Sequence, residues 1–220
     1  MISAILLDVD GTLVDSNDAH AAAWVEAFAE VGITVPFSDV RRCIGMGGDK
    51  LMPAVSGLTE DSPQGERISK RRGEIFTGLH LPRLQPFPGA GELVAELKAR
   101  GLTTVAASSA QKDELRKLLR IANALSLLDG YTSSDDVEES KPDPDIVQAA
   151  LKQAGAKPSQ AFMVGDTPYD VEAARRAGVA AVAFRCGGWS DADLSGAARI
   201  YDGPWDLLAR LDELVPGNPS

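Results

Sequence analysis

Six short runs rich in apolar residues punctuate the chain: SAILLDV (3–9), TTVAAS (103–108), GYTSS (130–134), AFMVGD (161–166), VAAVAF (179–184) and ARIYD (198–202). Each has strand length and ends in polar or turn-forming residues. Between them, PGAGELVAELKARG (88–101), QKDELRKLLRIANAL (111–125), PDIVQAALKQAG (144–155) and TPYDVEAARRAG (167–178) repeat apolar residues every three or four positions, the spacing of one helical face. Gly101, Gly155 and Gly178 close three of these segments, as glycines do at helix C-termini. Strands alternating with helices predict an α/β fold, a Rossmann-like parallel sheet flanked by helices.

One stretch breaks the rhythm. Residues 17–82 hold no convincing strand but several helical pieces, beginning with NDAHAAAWVEAFAEVG, and read as an α-helical cap domain inserted after the first strand. The Rossmann-like core is then discontinuous, 1–16 and 83–220. Pro82, Pro86 and Pro88 at the exit disfavour helix and suit a hinge, so two crossings would let the smaller domain open and close over the larger. The final VPGNPS reads as a frayed tail.

Composition narrows the partners. At 220 residues, 44% hydrophobic and 25% charged, the chain has an ordinary globular makeup. A formal net charge of -10 argues against nucleic acid or an anionic membrane and favours a small diffusible substrate. No segment approaches the ~20 apolar residues needed to span a bilayer, and the N-terminus lacks a signal pattern. The two cysteines, Cys43 and Cys186, have no metal-like spacing and suit a reducing compartment. The expectation is a cytoplasmic monomer or small homo-oligomer.

Ligands of parallel α/β sheets bind at the carboxyl ends of the strands. The polar residues there are Asp8 and Asp10 after the first run, Ser108 and Ser109 after the second, and Asp166 with Asp170 after AFMVG; Lys141 lies just before a helix expected to start near Pro144. Clustered carboxylates repel unless a hard cation joins them, and Mg²⁺ takes oxygen ligands; Asp8 and Asp166 could supply two. Ser108, Ser109, Lys141 and the backbone N–H groups of the Gly11-Thr12 turn suit phosphate oxygens. Asp8, kept ionised, could attack phosphorus, while Asp10 moves the protons. Competing ordinary readings are that Asp166 caps the next helix, Asp170 is a first-turn acid, Trp24 is core, and Arg71 and Arg72 lie on a solvated face. GMGGDK (45–50) fits no nucleotide fingerprint and reads as a helix-terminal turn.

Four pieces in order, DVDGT (8–12), Ser108 in VAASSA, Lys141 in KPDPD and GDTPYD (165–170), resemble the haloacid dehalogenase-like hydrolase superfamily, in its phosphatase branch with a small helical cap. The resemblance covers nearly the whole chain. It implies Asp8 as nucleophile and metal ligand, and Asp10 as general acid/base binding metal through its carbonyl. It also implies that Ser108 and Lys141 hold the phosphoryl group, Asp166 binds Mg²⁺, and Asp170 stands behind the ligands. An acid at position 10 favours phosphoryl transfer over dehalogenation. His20 and Trp24 resemble the start of the cap in the β-phosphoglucomutase-like branch, with His20 a candidate substrate contact. That branch carries a cap arginine where this chain reads GMGGDKL, and two adjacent acids where it has Gly165-Asp166. The expectation is a phosphatase for a small phosphorylated metabolite, a sugar phosphate or phosphoglycolate-like compound, with a phosphosugar mutase as the alternative and a non-catalytic binding protein behind both.

Overall fold

The first apolar run forms β1 (Ala4–Leu7), and all four of its residues are fully buried. Successive side chains on a strand point to opposite faces, so a strand buried throughout needs both faces of its sheet covered. A computed structural model of the chain, describing residues 1–215, supplies that cover.

After β1 come α1 (Asn17–Glu30), α2 (Phe37–Cys43), α3 (Gly48–Ser56) and α4 (Pro63–Ile75). The chain continues through α5 (Ala90–Ala99), β2 (Thr103–Ala107), α6 (Lys112–Ile121), β3 (Gly130–Thr132) and α7 (Asp145–Ala154). Then follow β4 (Ala161–Gly165), α8 (Pro168–Arg176), β5 (Ala180–Phe184), β6 (Arg199–Tyr201) and α9 (Pro204–Ala209). The chain divides into two compact units, Met1–Asp15 with the chain from Gln85 onward, and Ser16–Leu84.

The first unit holds one six-stranded sheet, order β3-β2-β1-β4-β5-β6, every pair parallel. Leu6, Val105, Ala107, Met163 and Ala183 form one face, packed on Ile146, Val147 and Ala150 of α7 and Ala173 and Ala174 of α8. The alternate residues Ile5, Leu7, Thr104 and Ala106 are equally buried on the other face, and α5 lies against β2 and α9. The chain runs outward from β1 through β2 to β3, then returns to β4 on the opposite side of β1 and runs outward again. The crevice that such a reversal opens lies at the carboxyl end of β1, where the acids of DVDGT stand. Where the chain leaves and re-enters this unit, Asp15 N–H donates to the Gln85 carbonyl at 3.1 Å and Phe87 N–H to that of Leu13 at 2.9 Å.

The second unit is helical, α1 packing on α2 and α4 around Phe28, Ile68 and Ile75. The Ser62 hydroxyl caps α4, accepting from the Gly65 amide at 3.1 Å. Arg71 forks onto Glu30 at 2.6 and 2.8 Å, an exposed pair on the solvated face the sequence suggested. Arg72 departs from that reading: its guanidinium is half-buried, 2.7 Å from His20 Nδ1 and over the rings of Trp24 and Phe76. Trp24 is core, and GMGGDK runs into the first turn of α3.

Two further expectations need correction. β3 stops at Thr132, short of Ser134, because Ser133 leaves the ladder to cap a 3₁₀ turn, its hydroxyl 2.7 Å from Asp136. Val215, assigned to a frayed tail, is buried, and its carbonyl accepts from Arg100 at 2.7 Å; the remainder of that tail, 216–220, lies outside the described residues.

Candidate active site

Because β1 is flanked by β2 and β4 in register, the residues that follow these three strands meet at one edge of the sheet. Asp8 follows β1, Ser108 follows β2 and Asp166 follows β4; all three are buried. Lys141 arrives from the loop ahead of α7 and is 1% exposed. Its ammonium lies 2.5 Å from Asp8 Oδ1, 2.8 Å from the Ala107 carbonyl and 2.8 Å from Asp170 Oδ1. An ammonium has three donors, and three acceptors surround it.

Thr12 is fully buried between two acids, its hydroxyl 2.9 Å from Asp166 Oδ1 and 3.2 Å from Asp8 Oδ2. It sits there because the chain doubles back after Val9, whose carbonyl accepts from the amides of Thr12, Leu13 and Val14. Gly11 makes the turn with φ 75°. The Gly11 amide, expected to face a phosphate oxygen, donates instead to the Val14 carbonyl at 2.8 Å, since the doubled-back turn folds it inward.

Helix α8 begins with a capping box that fixes the places of two acids. Thr167, not Asp166, is the N-cap; its hydroxyl accepts from the Asp170 amide at 3.2 Å, and Asp170 Oδ2 accepts from the Thr167 amide at 3.0 Å. Asp166 is thereby left to the sheet edge. Asp170 is a first-turn acid and also the partner of Lys141, one oxygen serving each role.

Asp8, Asp166 and Asp170 each place a carboxylate oxygen within 4.8 Å of the others, all three residues being buried. Three carboxylates against one ammonium leave two negative charges, a deficit that a divalent cation with oxygen ligands matches. Burial pushes the Asp8 carboxyl well above the usual carboxylate range; Lys141 opposes the shift, while Asp170, Asp166 and Asp10 reinforce it. Burial also works against the charge of Lys141, but Asp170 and Asp8 outweigh it and hold its pKa above the ordinary lysine value. The donor set therefore fits a metal ion. Asp10 is half-buried, and its carboxylate lies outside that cluster.

At the end of β2, Ser108 Oγ accepts from the Ala110 amide at 3.0 Å, leaving its proton available. Ser109 Oγ is buried with no hydrogen-bond partner among the described residues, an orphaned group that a ligand oxygen would satisfy. His20 belongs to the helical unit, where its ring stacks on Phe76 at 3.9 Å.

The haloacid dehalogenase-like hydrolase family profile matches residues 5–184, which span β1 through β5 and every residue of this cluster. The chain belongs to the haloacid dehalogenase-like hydrolase family. The hydrolase is 30% identical over 188 residues to Probable phosphatase IndB of Dickeya dadantii, covering 83% of this chain and 81% of that protein. It is 33% identical over 191 residues to Protein Suppressor of Quenching 1, chloroplastic, of Arabidopsis thaliana; the match takes in 84% of this chain but spans only 18% of the length of that protein. Among solved structures, a hydrolase from Pseudomonas syringae superposes with a TM-score of 0.90 at 33% identity, covering 96% of this chain and 99% of the other.

Three contributors to the hydrolase site escaped the sequence reading. The Thr12 and Thr167 side chains look like ordinary turn residues until β1 and β4 are set side by side. Gly165 carried a signal, the missing second acid before Asp166, and the fold supplies its reason. A Cβ at Gly165 would collide with the Asp170 side chain, so a larger residue there would force Asp170 to shift.

Proposed function

We propose that this chain is a phosphomonoesterase that hydrolyses a small phosphorylated metabolite, of the sugar phosphate or phosphoglycolate kind, through an aspartyl phosphate on Asp8. The observation that carries the reading is Lys141 locked to Asp8 inside a buried group of three carboxylates, a site with too much negative charge to be a structural ion pair alone. Asp8, Asp166 and the backbone carbonyl of Asp10 would hold Mg²⁺. The ion, when bound, supplies charge neutralisation at the phosphoryl oxygens.

Asp8 attacks phosphorus with one carboxylate oxygen, and the bond from phosphorus to the ester oxygen breaks. Asp10 gives its proton to the departing alkoxide. In the second displacement Asp10 takes a proton from water, which attacks phosphorus and breaks the bond to Asp8, releasing inorganic phosphate and restoring both acids. Lys141, Ser108 and Ser109 bind the phosphoryl oxygens and fix them in line. Positioning and charge carry most of the rate, as in other phosphoryl transfers. No helix among the described residues is long and apolar enough to cross a membrane, and Cys43 and Cys186 are free thiols, in keeping with a cytoplasmic enzyme of small diffusible substrates.

Phosphate release from p-nitrophenyl phosphate with Mg²⁺ tests the assignment. Turnover in the wild type and its loss in Asp8→Asn is the expected result, and turnover that persists in Asp8→Asn overturns the nucleophile. Glucose 1-phosphate with a trace of the bisphosphate separates the mutase alternative, which predicts isomerised sugar without free phosphate. A panel of phosphorylated metabolites ranked by kcat/KM then identifies the substrate.

A further inference from the structure

The segment that leaves β5 crosses the site without contributing a side-chain ligand to it. Arg185, Cys186 and Gly187 form a single 3₁₀ turn, closed by the Gly188 amide donating to the Arg185 carbonyl at 2.8 Å. Its base is fixed from outside: the Arg185 guanidinium forks onto Asp191 at 2.6 and 2.9 Å and reaches Asp202 at 2.7 Å, while the Cys186 amide donates to the Asp202 carbonyl at 3.0 Å. Its inner side meets the site twice. The Cys186 thiol donates to the Gly11 carbonyl at 3.4 Å, joining the segment to the turn that carries Thr12. Gly187 is buried, and a Cβ built there would coincide with the Asp166 carboxylate.

Gly187 differs from its neighbour Gly188, whose φ of 89° explains its own lack of a side chain. Gly187 is not among the residues of positive φ, so its conformation suits any residue and only space forbids one. Backbone pressed against a carboxylate oxygen restricts where that oxygen can point. With the Thr12 hydroxyl on Asp166 Oδ1 and the Gly187 backbone against Oδ2, both oxygens of the acid are confined.

We propose that Gly187 is a positioning residue that sets the orientation of Asp166 for the metal ion, with Arg185 anchoring the turn that delivers it; the inference rests on the metal reading above. Partners of metal ligands, when removed, commonly cost about 10–100-fold in metal affinity. An added methyl at Gly187 rotates Asp166 or lifts the turn, and either change costs affinity.

The experiment titrates Mg²⁺ into the full chain by calorimetry and by the rise in melting temperature, for wild type, Gly187→Ala, Arg185→Gln and, as a control in open space, Gly73→Ala. Gly187→Ala is expected to weaken Mg²⁺ about tenfold or more. Arg185→Gln, a half-exposed change that adds no atoms to the site, should weaken it by a smaller factor, while Gly73→Ala matches wild type. In the assay the Mg²⁺ concentration for half-maximal rate rises in parallel, with most of kcat recovered at saturating metal; a general loss of structure would not be so recovered. Wild-type affinity in both Gly187→Ala and Arg185→Gln overturns the inference while leaving the metal reading intact. If Gly187→Ala does not fold, Arg185→Gln decides alone. Absence of any Mg²⁺ response in the wild type overturns the metal reading and the inference with it.

Discussion

In the proposed mechanism Lys141 and Asp10 do separable jobs, and single substitutions should show it. Lys141→Met strands two buried carboxylates, Asp8 and Asp170, so it should destabilise the fold by about 3–5 kcal/mol in urea denaturation besides abolishing turnover. A melting curve matching wild type would show that the pair contributes nothing to stability. Asp10→Asn touches a half-buried residue outside the carboxylate cluster and should leave the melting temperature nearly unchanged. Its kcat/KM, which reads the first displacement alone, should fall by about 10²–10⁴-fold for an alkyl phosphate and less for p-nitrophenyl phosphate, whose leaving group needs no proton. Equal losses on both substrates would contradict its role as the acid. The acids were legible in sequence because carboxylates that end an apolar strand are costly unless used, whereas Lys141, in a loop ahead of α7, stood out through its KPDPD setting. Gly11, whose amide turned inward, was misread because a turn's hydrogen bonds depend on where the chain goes next. Ser109 stood out only once its hydroxyl proved buried and unpartnered.

At the scale of elements, the strands were the clearest features, since those covered on both faces must be apolar at every position, as β1 is. β3 was overextended because GYTSS gives no sign that Ser133 prefers a side-chain partner to the ladder. Helix α8 began where expected, and its cap is Thr167, a residue the sequence reading did not single out; replacing Thr167 with Ala should cost about 1 kcal/mol of stability and loosen Asp170. Another joint is titratable. Asp129, just ahead of β3, accepts from the Thr104 amide at 2.9 Å and pairs with Lys98 at 3.1 Å, and these contacts hold its pKa below the ordinary value. A lowered carboxylate pKa contributes stability that is full above the unfolded value and lost as pH falls through the folded one, so the contribution begins to decline at about pH 4. The side chain is partly solvated, which limits the effect to about 1 kcal/mol. Asp129→Asn should therefore lower stability at pH 7 and flatten its decline in acid; an unchanged acid slope would remove Asp129 from that account.

For the whole molecule, the break in strand–helix alternation predicts an insertion; the chain divides into two compact units, Ser16–Leu84 forming the second. What the sequence could not reveal was how closely the two segments that leave and re-enter the first unit approach, since the hydrogen bond between Asp15 and Gln85 joins positions 70 residues apart. Their contact makes the unit testable by excision: joining Asp15 to Gln85 through a short glycine linker should give a cooperatively folding α/β unit that still binds Mg²⁺, followed by circular dichroism and thermal shift. A non-cooperative melt would show that the unit does not stand alone. The central claim, that Asp8 carries the phosphoryl group in transit, is tested most directly by acid-quenching the enzyme during turnover and locating the phosphate by peptide mass spectrometry. Phosphate on the peptide that contains Asp8, absent in Asp8→Asn, is the result predicted here. Steady turnover with no phosphopeptide at stoichiometric enzyme, or with the phosphate on another residue, would contradict it.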